Sequence, residues 1–129
     1  MMPKLSLLFR LNRFIYFLVK GVGRLEKEHF IFTLKEPLDD FTLYRMLAGH
    51  NFQPNVFGFV YRGQIYQCRQ LVDGGMHQYH LRFYDDGRCT GHWELSPEWD
   101  TGQHLQGKDL RDLTEPEIYS LRLIFKLIK

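Results

Sequence analysis

Cysteine is scarce in this chain of 129 residues, and charge of the two signs is nearly balanced. Two cysteines, Cys68 and Cys89, are too few for the disulfide framework that stabilises small secreted domains. A reducing compartment is therefore expected, and we predict a cytoplasmic protein. The 17 basic and 15 acidic residues leave a formal charge of +2. That charge permits a nucleic-acid partner without indicating one.

Long hydrophobic runs and common catalytic motifs are also missing. The apolar segment 5–19 is interrupted by Arg10, Asn12 and Arg13, so it falls short of the roughly 20 apolar residues that span a bilayer. A small-residue cleavage site is absent, which argues against a signal peptide. The chain has no His-Glu-x-x-His motif, no paired Cys-x-x-Cys and no phosphate-binding glycine loop. We therefore expect no transmembrane segment. None of these motifs is present to identify the function.

The N-terminal segment carries basic residues at helical spacing. One stripe contains, at steps of three and four, Ser6, Arg10, Arg13, Phe17, Lys20 and Arg24. Two interpretations stay open. Either the helix belongs to the core and has one edge in solvent, or its basic stripe contacts phosphate or an anionic membrane surface. In the second case the nucleic-acid-binding residues are Arg10, Arg13, Lys20 and Arg24.

Strands are predicted in the middle of the chain and helices on either side. Aromatic residues make up 16% of the chain, which favours β-structure. Four strand-like runs with glycine-containing turns follow one another over 56–95, and 29–34 indicates a short fifth strand. One helix is predicted to follow a cap at Asp39 or Asp40, and another the capping box of Thr114 and Glu117.

These elements predict an α+β fold in a single domain over residues 1–129. Its centre is an antiparallel four-stranded β-meander at about 56–95, with the run at 29–34 as a fifth strand. The apolar face of the meander must be covered, and the N- and C-terminal helices are predicted to cover it.

Alternation of polar and apolar residues fixes the register of the meander. A three-residue turn at 85–87 keeps the two faces separate, whereas a two-residue turn mixes them. The pairs predicted in this way are Leu81 with Gly91, His80 with His92, Arg69 with His80, Cys68 with Leu81, Phe59 with Cys68 and Gly58 with Arg69. One polar row therefore crosses four strands: Gly58, Arg69, His80 and His92. Cys68 and Cys89 lie two strands apart, which is too far for a disulfide.

The polar face allows three interpretations. In the first, His80 and His92 are solvated residues on the exposed face of a half-buried sheet. In the second, they are the general base and general acid of a metal-independent RNase, and Arg69 and Arg82 hold the phosphate. Tyr84 would then stack on a base or donate a hydrogen bond. This reading needs no cofactor.

In the third interpretation the face holds a metal ion. The candidate ligands are His80, His92, Glu94 and His104, a set of nitrogen and oxygen donors that suits zinc or manganese. The positive charges of Arg69 and Arg82 oppose a cation at this place.

Three segments resemble a known family. They are Tyr79-His80-Leu81-Arg82-Phe83, Gly91-His92-Trp93-Glu94-Leu95-Ser96-Pro97, and His104. Together they are similar to the core of the TumE-like toxins of prokaryotic toxin–antitoxin modules, which are small α+β proteins. The resemblance implies a toxin that acts on RNA and is neutralised by an antitoxin-like protein partner. A non-catalytic regulatory module that binds nucleic acid or protein is the alternative, and the oligomeric state is not predicted.

Overall fold

A computed structural model describes residues 29–55 and 58–125 of the chain. The strands are β1 (Phe30–Thr33), β2 (Gln53–Pro54), β3 (Gln64–Val72), β4 (His77–Tyr84) and β5 (Arg88–Leu95). The helices are α1 (Asp40–Ala48), α2 (Thr101–Leu105) and α3 (Glu115–Ile124), and a single 3-10 turn spans Asp73–Gly75. No helix among the described residues has the length and apolar character needed to cross a membrane.

All five strands join one antiparallel sheet in the order β1-β5-β4-β3-β2. The strands from β2 to β5 follow each other as a meander, and β1 pairs with β5 as the predicted fifth strand. The predicted α+β fold is therefore confirmed.

The register of the β4–β5 hairpin is the predicted one. His80 lies opposite His92 and Leu81 lies opposite Gly91. The two strands are joined by the three residues 85–87, and Gly87 has a φ of 91°, a left-handed conformation that favours glycine. The pairs between β3 and β4 are also as predicted, including Arg69 with His80. Both cysteines are free and buried.

The predicted first strand of the meander is wrong in its register. Arg69 and Cys68 pair with Gln53 and Pro54, and not with Gly58 and Phe59. The chain at Gly58 instead passes over the polar face, where the side-chain amide of Gln67 donates to the carbonyls of Gly58 (3.1 Å) and Phe59 (3.3 Å). The Gln67 side chain thus gives these two carbonyls the hydrogen bonds that a neighbouring strand would give them in a sheet.

A side chain at position 58 would displace Gln67. A Cβ atom there would lie 2.6 Å from Oε1 of Gln67, which is closer than a real Cβ atom comes. Gly58 therefore belongs to the loop that crosses the sheet, and not to the strand predicted for this segment.

In the described part of the chain, two helices cover the apolar face. Helix α1 begins after Asp39, whose side chain accepts from the backbone N–H of Thr42 (2.8 Å), and it buries Leu43 and Leu47. Helix α3 begins with the predicted capping box of Thr114 and Glu117.

The C-terminal helix contributes Leu121 to the same core, and Phe125 follows directly after the helix. The ring of Phe125 packs on those of Phe32 and Phe83. The prediction that the C-terminal helix covers this face is confirmed. The predicted N-terminal helix, with Arg10, Arg13, Lys20 and Arg24, lies outside the described residues.

Candidate metal centre and adjoining cavity

Two histidines and one glutamate meet on the polar face of the β4–β5 hairpin. His80 and His92 are opposite each other because of the hairpin register, and their ring centroids are 5.3 Å apart. Glu94 lies two residues beyond His92 and therefore on the same face. The exposed fractions of these residues are 3%, 2% and 1%. The interpretation in which His80 and His92 are solvated is wrong, because both side chains are buried.

The donor atoms of these three side chains have the spacing of metal ligands. They all lie within 4.8 Å of one another. Nδ1 of His80 is 3.5 Å from Oε2 of Glu94, and Nε2 of His92 is 3.2 Å from the same oxygen. Ligands about 2.0–2.2 Å from a tetrahedral ion are about 3.3–3.6 Å apart. The two measured separations are close to that range.

The ring of His80 is held by Gln67. Because the amide nitrogen of Gln67 donates to two carbonyls, its Oε1 faces Nε2 of His80 at 2.9 Å. Nε2 of His80 also lies 3.2 Å from Nδ2 of Asn55, and Nδ1 is the ring nitrogen that faces Glu94. A metal ion would bind at Nδ1 once that nitrogen has lost its proton. A histidine whose second N–H is fixed by an oxygen acceptor is a regular feature of metal sites.

Glu94 is oriented by a chain of side chains that begins at the surface. Glu98 accepts a paired hydrogen bond from Arg69, whose Nη1 also donates to Oε1 of Gln78 (3.2 Å). Gln78 in turn donates from Nε2 to Oε2 of Glu94 (2.7 Å). The ligand candidate is thus held by a neutral amide, and the charge of Arg69 is balanced by Glu98.

The carboxyl group of Glu94 is ionised despite its burial. Burial raises its pKa, but hydrogen bonds and charge from His80 and His92 outweigh that effect and hold the pKa well below the ordinary value of 4.5. A metal ligand must be deprotonated, so Glu94 is already in the required form.

His104 belongs to the short helix α2, which folds back over the end of the sheet. Its Nδ1 lies 2.8 Å from the carbonyl oxygen of Leu95 and 3.6 Å from Oε1 of Glu94. Since a carbonyl only accepts, Nδ1 of His104 is the donor. This nitrogen is therefore occupied by the backbone, and His104 lies beside the three ligand candidates without completing the set through Nδ1.

A cavity of about 270 Å³ adjoins the centre. Its walls come from the polar face, from the crossing loop and from the segment around α2. The described residues that line it are Asn55, Gly58, Phe59, Arg69, Gln78, His80, Arg82, Pro97, Thr101, His104 and Leu105. His80 lines the cavity, whereas His92 and Glu94 do not.

The remaining predicted site residues are placed differently. Arg82 is 4% exposed and lines the cavity, with its Cζ 4.5 Å from the centroid of the Tyr61 ring and Nη2 donating to Phe59 O (3.3 Å). Tyr84 is only 2% exposed and its ring lies under the guanidinium of Arg88. It therefore presents little ring surface on which a base could stack.

Four polar residues of the site were not assigned a role by the sequence: Asn55, Gln67, Gln78 and Glu98. The alternation in β3 and β4 places Gln67 and Gln78 on the polar face, but it assigns neither of them a role. Asn55, whose Nδ2 is 3.2 Å from Nε2 of His80, and Glu98 lie on loops where no periodicity applies. No protein-family model, curated protein or solved structure matches the chain.

Proposed function

We propose that the protein binds one divalent transition-metal ion at His80, His92 and Glu94 and uses it to hydrolyse a substrate held in the adjoining cavity. One observation carries the proposal: three buried donors from one hairpin have ligand-like spacing. The set of two imidazoles and one carboxylate suits zinc, and manganese less closely.

The orienting contacts support the proposal. Gln67 holds the ring of His80, and Gln78 holds the carboxylate of Glu94. Metal sites need such outer contacts, since they set ring orientation and tautomer.

Arg69 and Arg82 carry positive charges that would repel a metal ion, but contacts of both side chains reduce this repulsion. Arg69 is paired with Glu98, and this hydrogen bond lowers the pKa of the Glu98 carboxyl. Arg82 lies over the electron-rich face of Tyr61, which stabilises its charge. Glu94 adds a buried negative charge beside the donors.

The cavity places the candidate centre next to space for a substrate. A bound metal ion would supply a water molecule of lowered pKa, which attacks an ester at neutral pH. His80 lines this cavity, so one of the three candidate metal ligands borders the space for a substrate. His104 also lines it, and with Nδ1 donating to Leu95 its Nε2 is the nitrogen suited to move a proton.

The metal-independent RNase stays a prediction, as do the toxin function and the antitoxin-like partner. An acid–base pair requires that both histidines reach the substrate. His92 is 2% exposed and is not among the described residues that line the cavity. That geometry favours the metal centre over the acid–base pair.

Metal content tests the proposal directly. Untagged protein is incubated with zinc or manganese, freed of excess ion and analysed for metal per chain. We expect one equivalent in the unaltered protein and in His50→Ala, in which an exposed histidine is removed. We expect His92→Ala and Glu94→Gln to bind much less while circular dichroism and thermal unfolding report a retained fold.

Equal metal content in His92→Ala and His50→Ala would refute the metal centre. RNA cleavage that persists after chelation and is lost in His80→Ala and His92→Ala would instead support a metal-independent RNase. Cleavage restored by zinc after chelation would support the proposal instead.

A further inference from the structure

We infer that the cavity beside the metal centre binds the phosphate group of a nucleotide, and that Arg82 is the residue that recognises it. The inference rests on the proposed function for its chemistry, because hydrolysis needs the metal ion, but binding of the phosphate depends on the cavity alone.

The charge of the cavity walls points to an anion. Two arginines and two histidines line the cavity, and none of the lining residues in the described part of the chain is Asp or Glu. A volume of about 270 Å³ is near the lower end of the sizes of small-molecule sites. A phosphate group with part of its ester fits this space, whereas a whole nucleotide extends to the rim.

Arg82 is the more buried of the two arginines. Arg69 makes a paired hydrogen bond to Glu98, and its side chain is 19% exposed. Arg82 is 4% exposed, and the ring of Tyr61 together with the Phe59 carbonyl holds its guanidinium in place. A planar, pre-positioned guanidinium suits paired hydrogen bonds to phosphate oxygens.

An exposed aromatic residue lies close in sequence to the residues that line the cavity. Pro97 and Thr101 both line the cavity, and Trp99 lies in the turn between them with 55% of its surface exposed. Leu105 lines the cavity and is 50% exposed. Stacking on an exposed aromatic side chain is how proteins hold a base without reading its sequence. On this basis we infer that a nucleotide binds in preference to a sugar phosphate.

Calorimetric titrations test the inference on the full chain, both metal-free and with one equivalent of zinc. The probes are inorganic phosphate, ribose 5-phosphate, adenosine and adenosine 5′-monophosphate. We expect the monophosphate to bind more tightly than ribose 5-phosphate, and adenosine to bind least.

Two variants separate the phosphate contact from the base contact. Arg82→Gln should weaken binding of both phosphate and the monophosphate by about tenfold or more, since it removes a charge-assisted contact. Trp99→Ala should weaken the monophosphate by about fivefold or more and leave inorganic phosphate unchanged. Arg122→Gln is the matched control, because it removes the same charge from an exposed position on α3.

Equal affinities in Arg82→Gln and Arg122→Gln, or no binding of any phosphate probe, would overturn the inference. Should Arg82→Gln unfold, Arg82→Lys decides the matter. Lysine keeps the positive charge but lacks the planar guanidinium that makes paired hydrogen bonds, so the affinity for phosphate must still be lower in that variant. Metal content is measured on the same samples. Loss of metal with retained Arg82-dependent binding refutes the proposed function alone, and full metal content without phosphate binding refutes this inference alone.

Discussion

Oε1 of Gln67 lies 2.9 Å from Nε2 of His80, while Nδ1 of the same ring faces Glu94. Gln67 can accept there because its amide nitrogen is committed to the carbonyls of Gly58 and Phe59. The crossing loop and the proposed metal centre are therefore linked through one buried amide. Changes at Gln67 should affect both.

Gln67→Leu should weaken metal binding by about 10- to 100-fold, because loss of an outer contact frees the ring and tautomer of His80. A competition titration against a chromophoric chelator measures the affinity. Gln70→Leu is the control, since Gln70 lies on the same strand but donates to the carbonyl of His50 away from the centre. Unchanged affinity in a folded Gln67→Leu protein would remove this residue from the site.

Glu98→Gln should tighten phosphate binding by about two- to fivefold at low salt, because it releases part of the charge of Arg69 toward the cavity. Glu98 is half exposed, so the fold should tolerate the change. Titration with inorganic phosphate measures the effect, and Glu36→Gln is a control for the loss of an exposed negative charge. Identical affinities in the two variants would show that Arg69 does not contribute.

Phe125→Ala should lower the free energy of unfolding by about 3–5 kcal/mol, because it leaves a cavity between two aromatic rings. Phe125 is 2% exposed and contacts Phe32 and Phe83. Leu123→Ala is the control, since Leu123 is 64% exposed and its loss should change stability by about 0.5 kcal/mol or less. Urea denaturation measures both. Similar losses in the two variants would contradict the assignment of Phe125 to the core.

Glu117→Gln should destabilise the protein at neutral pH, and the difference from the unaltered protein should shrink in acid. The hydrogen bond from Arg111 lowers the pKa of Glu117 to about 2 from an ordinary value of 4.5. A depressed folded pKa means that the stabilisation is complete above about 4.5 and is lost as the pH falls toward about 2.

Urea denaturation between pH 7 and pH 2 follows this difference for Glu117. Glu115→Gln removes a neighbouring carboxylate from the first turn of the same helix and serves as the control. A difference that stays constant from pH 7 to pH 2 would show that the ion pair with Arg111 does not stabilise the fold.

The sequence allowed a correct prediction of the hairpin that carries the candidate ligands. Strict alternation in β4 and β5, with glycine at the left-handed position 87, permits only one register that separates polar from apolar side chains. The opposition of His80 and His92 follows from that register.

The loops over the polar face could not be predicted in the same way. Alternation says which face a side chain occupies, but it does not say whether distant segments cover that face. Gln67 holds the carbonyl of Gly58, and Arg69 pairs with Glu98, far away in the sequence. Both contacts depend on tertiary structure. They explain why Gly58 was assigned to a strand and why one of the three interpretations placed His80 and His92 in solvent.

The pairing of β1 with β5 has a consequence for the order of folding. Strands β3, β4 and β5 are joined by short turns, so their contacts close small loops and can form quickly. Strand β1 must instead find β5 across the whole length of the intervening chain, at a larger loop-closure entropy. The central hairpins, which contain His80, His92 and Glu94, can therefore assemble as a nucleus before the β1 edge docks.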